Sequence, residues 1–236
     1  MGEPSTLLSG ASFEEALASL LYDEGARARL RSGEAADDRF LTLDVDELDE
    51  AGRGVRRMVL ERTHRGTGGL AEWFPNALAA WRRSHPGDEN LDDLLTLFCA
   101  SPSGEAWREH GSGISLEEAW YRFWIAQGIG DDETTEEEFL GTIVRTLAIS
   151  PGARFTRPSA LRAAPGGCYA VSRRGVLHAL LDGNYVRGAL TPLVVALLGG
   201  AGLERVASQY GVELAQVSEV FEALQAKGLL PTLSTG

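Results

Sequence analysis

Cysteine is scarce in this chain: Cys99 and Cys168 are its only thiols, and they sit far apart, outside any CxxC or Cys/His ligand spacing. A disulfide framework and a zinc knuckle are therefore not expected; a reducing, cytoplasmic setting is. Histidine is equally thin. His64, His85, His110 and His178 stand singly, with no HExxH or paired-His spacing, so no metal or other cofactor is expected and each reads as a surface or structural residue. The nucleophile and phosphate motifs GxSxG, SxxK and GxxxxGK[ST] are missing. No apolar run approaches bilayer length, and no basic stretch leads into an apolar one near Met1, so neither a membrane span nor a secretory signal is expected. Positive charge is also in short supply: 22 Lys and Arg against 34 Asp and Glu leave −12 over 236 residues. Duplex binding depends on basic side chains that neutralise phosphates, so nucleic acid is a disfavoured partner unless one face is locally basic.

What is present is helical periodicity. Ser12 and Glu15 form a capping box ahead of Phe13, Leu17, Leu20, Leu21 and Leu30, and a second helix is expected from about Asp44 or Asp46. After the glycine-rich break HRGTGG, the run LAEWFPNALAAWRRSHP predicts one helix with Pro75 near its first turn. NLDDLLTLFCA follows, with Asn90 as its expected cap; then SPSGEAWREHG with Ser101 and Pro102, and ISLEEAWYRFWIAQG with Ser115 and Glu118. The five tryptophans fall in these helices at core-like intervals. The acidic run DDETTEEE is expected to stay solvated ahead of a helical face made by Phe139, Ile143, Val144 and Leu147.

The pattern changes after SPGARFTRP, which places a boundary between a helical domain over 1–150 and a second unit over 151–236. CYAVS and VLHALL predict two short strands in a hairpin, and FTRPSALRA a third ahead of them. LTPLVVALLGG, GLERVASQYG and LAQVSEVFEALQAKGLL then predict three helices, each closed by glycine. The expected fold is mainly α: an N-terminal helical bundle plus a winged-helix-like unit of three short strands and three helices. Within it Ala207, Gly211 and Val217 have helix-turn-helix spacing, with a small residue at the crossing, glycine in the turn and an apolar residue docking the second helix.

That second helix offers little to DNA. From Gly202 to Leu230 the acids Glu204, Glu213, Glu219 and Glu222 outnumber the bases Arg205 and Lys227, leaving Arg173, Arg174 and Arg187 as the only support for a wing-like phosphate contact. The order of elements in CYAVS, RRGVLHALLDG, LTPLVVALLGG, LERVASQYG and VSEVFEALQAKGLL resembles the PqqD-like domain that recognises precursor peptides in ribosomal peptide natural-product biosynthesis. The resemblance implies that a leader peptide adds as a strand to the edge Val176, Leu177, His178, Ala179, Leu180 and Leu181, and packs against Val217, Val220, Phe221 and Leu224 of the last helix. FEEALASLLYDEGARARLRSG with LDVDELDEAGRGV is similar to the small helical subunit of LigAB-type ring-cleaving dioxygenases and to the helical binding domain of borosin precursors. Neither carries metal ligands itself, which implies a partner-binding scaffold.

The expected role is thus a non-catalytic, bacterial accessory protein that presents a precursor peptide to a modifying enzyme, such as a multinuclear non-haem iron enzyme. A helix-turn-helix transcription regulator stays open as an alternative, as does an enzyme subunit with a site near Trp107, Glu109 and His110.

Overall fold

In the computed structural model, which describes residues 17, 20–21, 24–33, 44–61, 68–108, 114–151 and 161–231, the helical signal becomes α1 (Glu24–Arg31), α2 (Val45–Arg56), α3 (Leu70–Trp73), α4 (Pro75–Ser84), α5 (Asp92–Cys99), α6 (Pro102–Arg108), α7 (Leu116–Gln127) and α8 (Asp132–Ile149). The Ser12/Glu15 box and HRGTGG, with His64, lie outside the described residues. Asp44 caps α2 by accepting from the amides of Asp46 and Glu47, as its position predicts. The expected single helix from Leu70 to Ser84 is two. Pro75 disfavours helical geometry at the residue before it, so Phe74 turns out to φ −131°, ψ 58°, and α4 restarts with proline at its first position.

The cap of α5 is not Asn90. Leu91, at φ 62°, occupies the cap position, and the buried carboxylate of Asp88 supplies the acceptors, taking the amides of Asp93 and Leu94 at 3.1 Å each and the Trp81 indole N–H at 2.8 Å. Burial opposes the charge on Asp88, yet these donors hold its carboxyl below the usual carboxylate range. Ser115 accepts from the Glu118 amide, but Glu118 reaches forward to Arg122 instead of back to the cap, so only half of the expected box forms. Around α7 the core is aromatic: Trp73, Trp81, Trp120 and Trp124 are fully buried, and Phe98 stacks on Trp120 at a centroid distance of 3.8 Å.

The C-terminal unit has four described strands, one more than expected: β1 (Arg162–Ala164), β2 (Gly167–Val171), β3 (Val176–Leu181) and β4 (Asn184–Ala189) form an antiparallel meander in that order. Three helices follow as expected, α9 (Pro192–Leu198), α10 (Leu203–Tyr210) and α11 (Leu214–Ala226). Gly211, at φ 64°, makes the left-handed turn between α10 and α11, and Val217 is fully buried where α11 docks.

Strand periodicity gives the sheet two apolar faces. Tyr169, Leu177 and Ala179 pack with Leu197, Val206, Val217 and Leu224 of the C-terminal helices. On the other face Cys168, Ala170 and Leu180 join the aromatic core of the helical unit, reached through α8. That core therefore continues past residue 150 into the sheet. The acidic run at the start of α8 is not simply solvated: Glu136 pairs with Arg173, Glu137 with Arg187, and Glu138 accepts from the Asn76 backbone and side-chain N–H at 2.7 and 2.8 Å, supplying an anion to the α4 N-terminus.

Candidate peptide-binding edge

Leu181, Asp182, Gly183 and Asn184 fix the geometry of the last hairpin. Asp182 and Gly183 both have positive φ, 49° and 80°, the two-residue turn whose twist matches that of paired strands. It sets the register Leu181↔Asn184, Ala179↔Val186 and Leu177↔Gly188. The Leu190 amide donates to the Gly175 carbonyl at 2.8 Å, which makes the even-numbered β4 positions the ones that exchange hydrogen bonds with β3. The N–H and C=O groups of Tyr185, Arg187 and Ala189 consequently point away from β3, and no other described strand pairs with them.

The same parity closes β3. Ser172 donates its amide to the Val176 carbonyl, so the even positions of β3 bond to β2 while its odd positions bond to β4. The edge expected at Val176, Leu177, His178, Ala179, Leu180 and Leu181 is therefore not free: that strand is central and paired on both sides. The other expected contacts divide as well. Val217 and Leu224 are core residues packed with Leu177 and Ala179, whereas Val220 and Phe221 are half-buried at the rim of the same cluster. The overlooked strand had its own signal, the Asp-Gly pair followed by NYVRGA.

Side chains on β4 alternate between two surroundings. Val186 lies on the face covered by the C-terminal helices and is 42% exposed, and a Cβ added at Gly188, beside it on that face, would meet open space. On the α8 face, Arg187 pairs with Glu137, and the Tyr185 hydroxyl lies 2.8 Å from His178 Nδ1. His178 is buried, and its Nε2 has no partner among the described residues. Burial pushes its pKa down to about 4, against an opposing pull from Glu137. Gly141 of α8 makes room for this ring, since a Cβ there would stand 2.9 Å from His178 Cε1 and Nδ1.

The surface that DNA would meet is acidic. Glu213 at the N-cap of α11 and Gln216, Glu219 and Glu222 along it are exposed, with Leu214 at its start. The three arginines expected to support a wing are engaged by α8: Arg173 bonds to Glu136 at 3.0 Å, Arg174 to the Thr134 hydroxyl at 2.8 Å, and Arg187 to Glu137. Of the third expected site, Trp107 is half-buried against the aromatic core, while Glu109 and His110 lie outside the described residues.

A separate cleft of about 710 Å³ lies between α1–α2 and α3–α5. The ion pairs Arg27–Asp49 and Arg56–Asp92 on its walls are satisfied within the chain. Among the described residues, no group of three or more His, Cys, Asp or Glu is placed to hold a metal ion, and no helix is long and apolar enough to cross a membrane. In comparisons of sequence and fold, the chain matches no family model, no curated protein and no solved structure.

Proposed function

We propose that this chain is a non-catalytic accessory protein that holds an extended precursor peptide on the outer edge of β4 and presents it to a modifying enzyme in ribosomal peptide biosynthesis. The observation that carries this reading is the edge itself. Tyr185, Arg187 and Ala189 turn backbone donors and acceptors outward at two-residue spacing, the pattern an incoming strand needs for main-chain pairing. Val186 and the open space at Gly188 offer adjoining apolar contact. Charge supports a peptide over a duplex, because the exposed glutamates of α11 oppose phosphate and the neighbouring arginines are already paired.

The helical unit supplies the second half of the role, a surface for the modifying enzyme, of which a multinuclear non-haem iron enzyme is the leading specific case. It rests on the similarity of the N-terminal residues to helical partner-binding subunits.

Selection of short random peptides on the purified chain tests the reading. Selected peptides should lose at least about tenfold in affinity on Ala189→Pro, which removes one outward N–H and leaves the β3–β4 ladder intact, as prolines on edge strands do. Circular dichroism checks that the variant is folded. Unchanged affinity in the folded variant would refute edge addition, and affinity for duplex DNA that falls steeply with salt would favour the regulator instead.

A further inference from the structure

We infer that the outer edge of β4 also pairs with a second copy of this chain, antiparallel and centred on Val186, so that two sheets join across a twofold axis. A second copy and a peptide would compete for one row of backbone groups. The self-contact goes beyond the peptide reading and stands or falls separately from it.

Parity restricts how two such edges can meet. Tyr185, Arg187 and Ala189 carry the outward N–H and C=O groups, and in an antiparallel pair outward residues must face outward residues. The twofold axis therefore sets one residue opposite its own copy. Two such registers overlap the strand Asn184–Ala189 most fully, one centred on Val186 and one on Arg187.

Side chains choose between them. Centring on Arg187 sets two guanidiniums directly opposite each other, and Val186 then meets only Gly188. Centring on Val186 removes both faults. Arg187 then lies opposite Tyr185 of the second copy, twice over, with a cation beside an aromatic ring and main-chain bonds exchanged at each pair. Val186, 42% exposed, meets Val186 of the second copy at a pair where cross-strand side chains come closest. Gly188, with open space where a Cβ would stand, accepts Asn184.

The edge also lacks the usual protection against self-pairing. β4 has no proline, no lysine and no bulge in its register with β3, and its one charge, Arg187, is bound to Glu137. The contact is small, and the −12 charge on each copy opposes it. A weak dimer follows, open in dilute solution and closed at high concentration.

Sedimentation velocity of the full chain from about 5 μM to about 1 mM reads the association, with dimer expected above about 100 μM. Val186→Lys, which sets two ammonium groups against each other at an exposed position, should leave a monomer throughout. Ala189→Pro should leave the dimer unchanged although it weakens peptide binding, because Ala189 falls opposite Gly183 in the turn, outside the paired segment. Oxidation reads the register: Val186→Cys should cross-link two copies at least about tenfold faster than Gly188→Cys or Leu214→Cys, since its Cα atoms stand within disulfide reach and the native thiols are buried.

A wild-type chain that stays monomeric to about 1 mM would overturn the inference and leave the peptide edge standing. A dimer that survives Val186→Lys, a dimer lost in folded Ala189→Pro, or equal cross-linking of the three cysteine variants would each place the contact elsewhere and overturn it as well.

Discussion

Replacing Gly141 by alanine tests the contact that joins the helical unit to the sheet, because two effects of opposite sign meet at that residue. In the middle of α8, alanine is favoured over glycine by about 0.8–1 kcal/mol through backbone entropy. Against this, the new methyl would lie 2.9 Å from two atoms of the His178 ring and 3.4 Å from the Tyr185 hydroxyl. The ring cannot swing aside cheaply, since it is buried and tied to Tyr185 at 2.8 Å. Overpacking of this kind costs about 1–3 kcal/mol, so a net loss of about 1 kcal/mol is expected.

Gly54 provides the reference. It is exposed in α2 with nothing within 4 Å of an added Cβ, and Gly54→Ala should stabilise by about 0.5–1 kcal/mol. For a chain of this size the two variants should move the thermal midpoint in opposite directions by about 2–4 °C each. Urea denaturation gives the same comparison at constant temperature. In a His178→Ala background Gly141→Ala should turn stabilising, because the obstructing ring is gone. If Gly141→Ala raised the midpoint of the wild-type chain as Gly54→Ala does, the close packing of α8 on β3 and β4 would be refuted.

Three further outcomes follow from named groups. His178, held near 4 by burial while facing Glu137 and Arg145 of α8 and Tyr185 and Arg187 of β4, takes up its proton later than it would in the unfolded chain. Its contribution is complete above pH ~6.5 and lost as the pH falls toward 4, by at most about 3 kcal/mol; urea midpoints should therefore drop more steeply with acid in the wild type than in His178→Asn, and parallel profiles would contradict this. Asp88→Ala removes the cap of α5 and leaves the Trp81 indole N–H without its acceptor, a loss of about 2–4 kcal/mol in urea denaturation. Amide exchange along β4 should alternate, fast at Tyr185, Arg187 and Ala189 and slow at Val186 and Gly188; uniform protection would mean that the outer edge is covered.

Local signals made most of the helices legible. Asp44, Ser101, Ser115 and Gly211 each act within a few residues of where they stand in the sequence, and each does what its position predicts. Local cues fail where a partner lies farther away or a constraint competes with periodicity. Asn90 is the nearer capping residue, but the left-handed turn at Leu91 brings in Asp88, which also serves Trp81. Apolar spacing runs unbroken through LAEWFPNALAAW, and only the backbone conflict at Phe74–Pro75 divides it. In NYVRGA, Gly188 and the charged Arg187 weaken the apolar alternation of β4, so VLHALL looks like the last strand and acquires an edge it does not possess.

That misplacement has one physical origin, shared with the misreading of the acidic run. A strand buried on both faces is apolar at nearly every position, as Val176–Leu181 is apart from His178, whereas an edge strand carries charge and glycine. The sequence cue for a free edge is therefore low hydrophobicity beside a strong turn, and Asp182–Gly183 followed by NYVRGA has both. The run DDETTEEE needed the sheet's arginines to be recognised as a clamp. Arg173 and Arg187 lie 37 and 50 residues from their partners Glu136 and Glu137, a separation no periodicity spans. Once those pairs form, the cations that a DNA-reading wing would need are committed to α8, and the strand that carries Arg187 has an outer edge that no other described strand pairs with. The ion pairs that weigh against a nucleic acid thus also hold β4 against α8, with the backbone groups of Tyr185, Arg187 and Ala189 turned away from β3.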